Sequence, residues 1–264
     1  MITSYNGLIA AAVQRLFMKR TASVTAVALQ PTTVWQAAGM PGAGTLAIGN
    51  TANGVVPTDA VAGYPIINAF GGSNKGQIAR LTFSNTVASI IKLFDRVFAA
   101  GAYAFNANTT LASQPSYSAR MPGGTDFTNT MIHIEAVTAF TGTPSFAVTY
   151  TNQDGTTGRT TGTISAGAAL IVGRGLFLPL QAGDTGVQKI ESVVATVASA
   201  GTFNVSVLRL LGEARGDVVN WMDVQDWFRT GGVEVFADSA LFPLVTPDST
   251  ATGLPSVTVD IRNG

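Results

Sequence analysis

The order of apolar and polar side chains divides the 264-residue chain into three stretches of different texture. Between about Ser4 and Arg20, apolar residues fall at Leu8, Ile9, Ala12, Val13, Leu16 and Phe17, a spacing that draws one stripe along a helix. Ser4 stands where an N-cap belongs, and Arg15, Lys19 and Arg20 sit in the last turns, where cations oppose the helix dipole. The spacing predicts an N-terminal helix, packed on its own domain or docked as an arm on a neighbouring subunit. Residues 21–74 then hold a single charged side chain, Asp59, and prolines at 31, 41, 57 and 65. Apolar side chains such as Val34, Trp35, Ile67 and Phe70 need cover there. An extended arm or a few short strands, held by the core or by adjacent chains, is the expected solution.

From about Gln77 to Leu211 the period changes to two. Arg80-Leu-Thr-Phe-Ser, Met131-Ile-His-Ile-Glu-Ala-Val and Ser145-Phe-Ala-Val-Thr-Tyr alternate, and so do later runs. Those are Arg159 to Ser165, Leu170-Ile-Val, Ile190 to Val197 and Thr202 to Leu210. Short runs rich in Val, Ile, Thr and Phe, parted by turn residues, predict strands. Asp154-Gly155 is the clearest turn, since Gly supplies the positive φ of a tight hairpin. Gly183-Asp-Thr-Gly186 and Met121-Pro-Gly-Gly124 are further breaks.

After Gly212 the texture changes once more. Asp217 is placed to cap a helix through Val218, Trp221, Met222, Val224, Gln225, Trp227 and Phe228. One last strand is expected over Ser256 to Ile261. The whole reads as mainly β: a β-sandwich or jelly-roll-like core with an N-terminal helix, an extended arm and a short C-terminal helix. The expected division is a helix and arm over 1–76, a β core over 77–212, and a C-terminal helix and tail over 213–264.

Composition sharpens this picture. Only 11% of residues are charged, against 46% hydrophobic, and mean hydropathy is +0.31. Soluble chains are normally about a quarter charged. So apolar and neutral a chain is expected to bury surface against copies of itself or a partner. Fifteen basic residues balance fifteen acidic ones, which argues against nucleic-acid binding driven by counterion release. The longest uncharged stretch, Thr21 to Thr58, is broken by proline and glycine and is not a spanning helix. No basic side chain precedes the first apolar segment, the wrong order for a secretory signal. The charges are unevenly spread. The first 58 residues carry three cations and no acid, whereas Glu213 to Asp238 carries six acids against Arg215 and Arg229. Opposed ends of this kind favour head-to-tail contact between copies.

Candidate chemistry is sparse. With no cysteine there is no disulfide, thiolate nucleophile or cysteine-based metal site. His133 is the only histidine and shares a strand face with Glu135, which makes two ligands and no third. A strand histidine that simply shares its face with a carboxylate is the plainer reading. Asp223 and Asp226 would share a helix face, yet the flanking Trp221 and Trp227 suit an amphipathic helix better than a catalytic pair. Gly39-Met-Pro-Gly42-Ala-Gly44 and Asn74-Lys75-Gly76 lack the order of a phosphate-binding loop. The carboxylates of the β stretch, Asp95, Asp126, Glu135, Asp154, Asp184 and Glu191, are scattered. The expectation is a chain that is not an enzyme, with no catalytic, metal or cofactor residues and no cofactor.

Several turns and strand ends carry a resemblance. Leu93-Phe-Asp-Arg-Val, Thr149-Tyr-Thr-Asn-Gln-Asp-Gly-Thr-Thr-Gly-Arg-Thr, Phe177-Leu-Pro-Leu-Gln-Ala-Gly-Asp-Thr-Gly-Val and Leu208-Arg-Leu-Leu are the motifs. They resemble virion structural proteins of tailed bacteriophages, over roughly residues 77–212. The resemblance implies a β-rich head protein located in the virion, most specifically a capsid decoration or cement protein. Its partners would be itself, as a homo-oligomer, and other capsid proteins, with no specific nucleic acid and no membrane. The alternatives are a major capsid, neck or tail component, or a carbohydrate-binding β-sandwich used in host recognition.

Overall fold

The computed structural model describes residues 2–71, 75–197 and 200–263. In chain order it contains α1 (Tyr5–Ala10), β1 (Val13–Arg20), β2 (Thr32–Thr33), β3 (Gly39–Met40), β4 (Asn50–Val55), β5 (Lys75–Ser84) and β6 (Ser89–Ala104). Next come β7 (Asn108–Thr110), β8 (Thr130–Thr141), β9 (Ser145–Asn152), β10 (Arg159–Thr160), β11 (Ile164–Ser165), β12 (Gly175–Leu178) and β13 (Val187–Thr196). The last are β14 (Ala200–Gly216), β15 (Met222–Asp226), α2 (Trp227–Thr230), β16 (Glu234–Phe236), β17 (Leu241–Pro247) and β18 (Ser256–Asn263). The chain is mainly β, as its period-two runs predict.

These elements form two compact units. One comprises Met1–Thr45, Thr58–Asp95 and Leu211–Gly264, and the other Leu46–Pro57 and Arg96–Leu210. Each unit draws on more than one of the three textural stretches, because strands distant in sequence pair with each other.

The first unit holds an antiparallel sheet in the order β15-β5-β18-β1-β3, with β16 also on β5. Its inner face buries Leu16 and Met18 of β1, Ile78, Leu81 and Phe83 of β5, and Val257, Val259 and Ile261 of β18. They share one core with Ile91 and Leu93 of β6 and Leu241 and Val245 of β17, which pair in a second layer. Two layers packed through alternating inward residues make a sandwich.

The N-terminal helix is much shorter than expected. Ser4 does cap it, its Oγ accepting from the Gly7 N–H at 3.1 Å, but the helix ends at Ala10. Val13 to Lys19 instead form seven in-register pairs with β18, so Arg15, Lys19 and Arg20 lie on a strand. Leu16, Met18 and Arg20 face inward at a spacing of two. Tertiary pairing has overridden a local periodicity that both structures can satisfy. Residues 21–71 are mostly irregular backbone carrying the short strands β2, β3 and β4. Val34, Ile67 and Phe70 join the core of the first unit. Trp35 is buried with Tyr64 stacked on it at 4.9 Å and Phe242 edge-on at 6.3 Å. Gly63 is required beside it, since a Cβ there would fall 2.1 Å from the Trp35 Nε1.

The predicted C-terminal helix is also displaced. Asp217 starts no helix; the chain turns, runs as β15 along β5, and only then makes the four-residue α2. The exposed edge of β5 captures this segment in five pairs, from Met222↔Ser84 to Asp226↔Arg80.

The second unit stacks the sheet β10-β9-β13-β7, with β11 also on β9, over strands β12, β8 and the first part of β14. Phe146, Val148 and Tyr150 of β9 and Ile190 and Val193 of β13 share a core with Ile132 and Ile134 of β8 and Val205 and Val207 of β14. The Asp154-Gly155 turn joins β9 to β10 as expected, with Gly155 at φ 82° and the Asn152 Oδ1 accepting from Asp154 and Thr156. The run from Arg159 to Ser165 is two short strands, both on β9. Leu170-Ile-Val is not a strand: Leu170 is buried in a loop, and the strand beside β8 begins at Gly175.

Truncation of Trp35 to Ala removes the ring around which Gly44, Gly63 and Tyr64 close. The expected cost is about 3–5 kcal/mol, read as a lowered midpoint of chemical denaturation.

Candidate interaction surface

One face of the first unit's sheet meets the core, and the other is ordered by the register of four strands. One row across it reads Asp226, Arg80, Asp260, Arg15, on β15, β5, β18 and β1. The next reads Val224, Thr82, Thr258, Phe17, and a third Met222, Ser84, Ser256, Lys19. The first row alternates in sign. The Asp260 carboxylate accepts from the Arg15 Nε at 2.7 Å and pairs with the Arg80 Nη2 at 2.7 Å. Those two guanidiniums hold Asp260 below the usual carboxylate range, against the opposing effect of its burial. Directly opposed unlike charges stabilise a sheet by roughly 0.2–1 kcal/mol per pair.

Beside the charged row, α1 and α2 meet through Tyr5 and Phe228, stacked at 6.1 Å. Asp226 ends β15 and caps α2, its Oδ1 accepting from the Arg229 N–H at 3.1 Å. The apolar side chains on this surface are not covered. Phe17 is 41% exposed, Val224 39% and Met222 58%, and Phe228 of α2 beside them is 73% exposed. Large exposed apolar groups ordered in register make this face a candidate contact surface. Both sheet margins are open as well. Nothing pairs with the outer edge of β15 among the described residues, and β3 covers β1 only at Lys19 and Arg20.

The residues singled out from sequence fall elsewhere or play other parts. His133 and Glu135 do share a face of β8, but both are fully buried in the second unit. Glu135 pairs there with Arg96, whose Nε donates to the Ser206 hydroxyl, and Asn204 Nδ2 also donates to Glu135. Burial and then the charge of Arg96 lower the His133 pKa to about 3, so the ring is neutral at physiological pH. Asp223 and Asp226 lie three apart on a strand and therefore on opposite sides of it, not on one helix face. Asp223 accepts from the Arg215 N–H and from Gln225. Gly39 and Met40 form β3, and Gly44 packs against Trp35. Lys75 pairs with Glu234, while Asn74 lies outside the described residues.

The carboxylates of the β stretch are engaged by local bonds, and Asp154, Asp184 and Glu191 all bond to residues 151–159 around the β9–β10 turn. Asp95 accepts from Ser239 and Ala240, Asp126 from Thr128, Asp154 from Gln153, and Glu191 from Thr151 and Gly158. Asp184 is the most fully engaged, accepting from Arg159, Tyr150 and Asn152. Among the described residues no group of three or more His, Asp or Glu is gathered as for a metal. Sequence reasoning missed the charged row. Its signal was present in the alternation of Arg15, Phe17 and Lys19 with Leu16, Met18 and Arg20, which a strand sorts to opposite faces.

No protein-family model matches the chain, and no curated protein matches it. Among solved structures, the VP2 subviral particle of infectious bursal disease virus is similar at 10% identity and a TM-score of 0.21, over 96% of this chain and 80% of that one. A structure of the Gx strain of the same virus aligns at 11% identity and a TM-score of 0.17, over 96% and 80%. The likeness, at these TM-scores, is too weak to bear on role.

The bonds to Asp184 set an acid limit on the second unit. Arg159 first, then Asn152 and Tyr150, depress its pKa from 3.8 to about 2. The stabilisation is present above the ordinary carboxylate range and is lost as pH falls through about 2. Asp184→Asn is therefore expected to lower stability throughout neutral pH and to converge on the wild type near pH 2, read by denaturant unfolding at a series of pH values.

Proposed function

We propose that this chain is a structural subunit of a virus particle, which works by contact area and not by chemistry. The observation that carries this reading is the outward face of the first unit's sheet, with exposed apolar side chains in register between two open margins. Apolar surface of this kind, on a chain with so few charges, supports contact with another surface. The resemblance of its turns to tailed-phage virion proteins supports the finer reading: a decoration or cement protein of the head, bound to itself and to shell subunits. Major capsid, neck and tail positions are the neighbouring assignments. No helix among the described residues is long and apolar enough to cross a membrane. The reading assigns no membrane, specific nucleic acid, cofactor or catalytic step.

Purified particles of the source virus test this directly. Quantitative mass spectrometry is expected to find the chain in the particle at a high copy number, in proportion to the shell subunits. A few copies per particle would move it to the neck or tail. Absence from the particle, with glycan-array binding by the full chain, would replace the reading with a carbohydrate-binding module.

A further inference from the structure

The charged row of the first unit ends in opposite signs, with Asp226 at one margin and Arg15 at the other. The apolar row ends likewise in Val224 and Phe17. Both margins are open, and their end residues are accessible: the Arg15 side chain is 61% exposed, and Asp226 is exposed. The strand directions also match. β1 is antiparallel to β18, β18 to β5 and β5 to β15, so β1 and β15 run oppositely. A second copy set beside the first therefore brings its β15 antiparallel to β1.

We propose that copies of this chain associate head to tail, β15 of one copy pairing with the open edge of β1 in the next. Asp226 then lies beside Arg15 and Val224 beside Phe17, so both rows continue across the junction with sign and polarity preserved. β3 limits the pairing at its far end, because it already occupies the edge at Lys19 and Arg20. The matching segments are Arg15 to Met18 and Asp223 to Asp226. Pairing of like margins is disfavoured by charge. Two β15 edges would bring Asp223 and Asp226 of both copies together, and two β1 edges would bring Arg15 and Lys19 together. An interface between unlike patches is heterologous, and it generates a ring or an open filament according to the rotation at each step. The twist between neighbouring strands, roughly −20 to −25°, supplies such a rotation. This inference rests on the reading of the chain as a self-associating subunit and assigns the surface it uses.

The absence of cysteine makes the pairing testable. In a Phe17→Cys/Val224→Cys double variant, the two positions of one chain are three strands apart, roughly 14 Å at ~4.8 Å per strand. That exceeds the ~7 Å reach of a disulfide between Cα atoms. Mild oxidation is expected to produce a ladder of covalent multimers on a non-reducing gel, with no ladder from either single variant. A folded double variant that oxidises without a ladder overturns the pairing. As a second route, Arg15→Glu and Asp226→Lys are each expected to reduce association, and their combination in one chain to restore it. Combined variants as dissociated as the single ones also count against it. Sedimentation velocity of the wild type separates the two ways of failing. Multimers without a disulfide ladder remove this pairing alone, whereas a monomer removes self-association with it.

Discussion

Antiparallel pairing of the first strand with the last is the contact on which the first unit depends. β18 lies between β1 and β5 and hydrogen-bonds to both, so residues more than two hundred positions apart become neighbours. That one strand closes the inner face, where Val257, Val259 and Ile261 complete the core. It also orders the outer face, where Asp260 draws Arg15 and Arg80 into one row. Loop closure over such a separation costs entropy that local contacts do not repay. The pairing must therefore be held by burial of its apolar side, whose alternation also sets the register, and the charged row adds to it.

The shortage of surface charge follows from where the cations go. Five of the chain's eleven arginines, at 20, 96, 120, 174 and 209, are buried. Arg20 donates to the carbonyls of Ala37, Pro41 and Gly63, and Arg120 to those of Pro57 and Arg96. Arg20 thereby satisfies irregular backbone that no strand pairs, and Arg120 ties the loop at Pro57 to β6, which is how loops rich in glycine and proline are held inside each unit. Nearly half of the arginines are thus internal. What remains outside is a surface with large apolar groups and few charges to keep copies apart.

Much of the β architecture was legible because alternation of period two survives in most strands: Met131 to Val137, Ser145 to Tyr150 and Thr202 to Leu210 all lie on strands. The Asp154-Gly155 hairpin was legible for a stereochemical reason, the positive φ at Gly155. The two terminal segments were not. Leu8 to Phe17 satisfies a helical stripe and a strand equally, and only the distant β18 decides between them. Asp217 to Phe228 is amphipathic in both senses, and the free edge of β5 decides there. The candidate surface was hidden for the same cause. Arg15, Arg80, Asp226 and Asp260 belong to four strands, and no spacing within the sequence joins them.

The proposed role requires this chain to associate with copies of itself. Light scattering of the purified protein across a concentration series, at low and high salt, measures that most directly. The account predicts a mass that grows with concentration towards a multimer, and less readily at high salt, where the charged rows are screened. A strict monomer at every concentration and salt would contradict it.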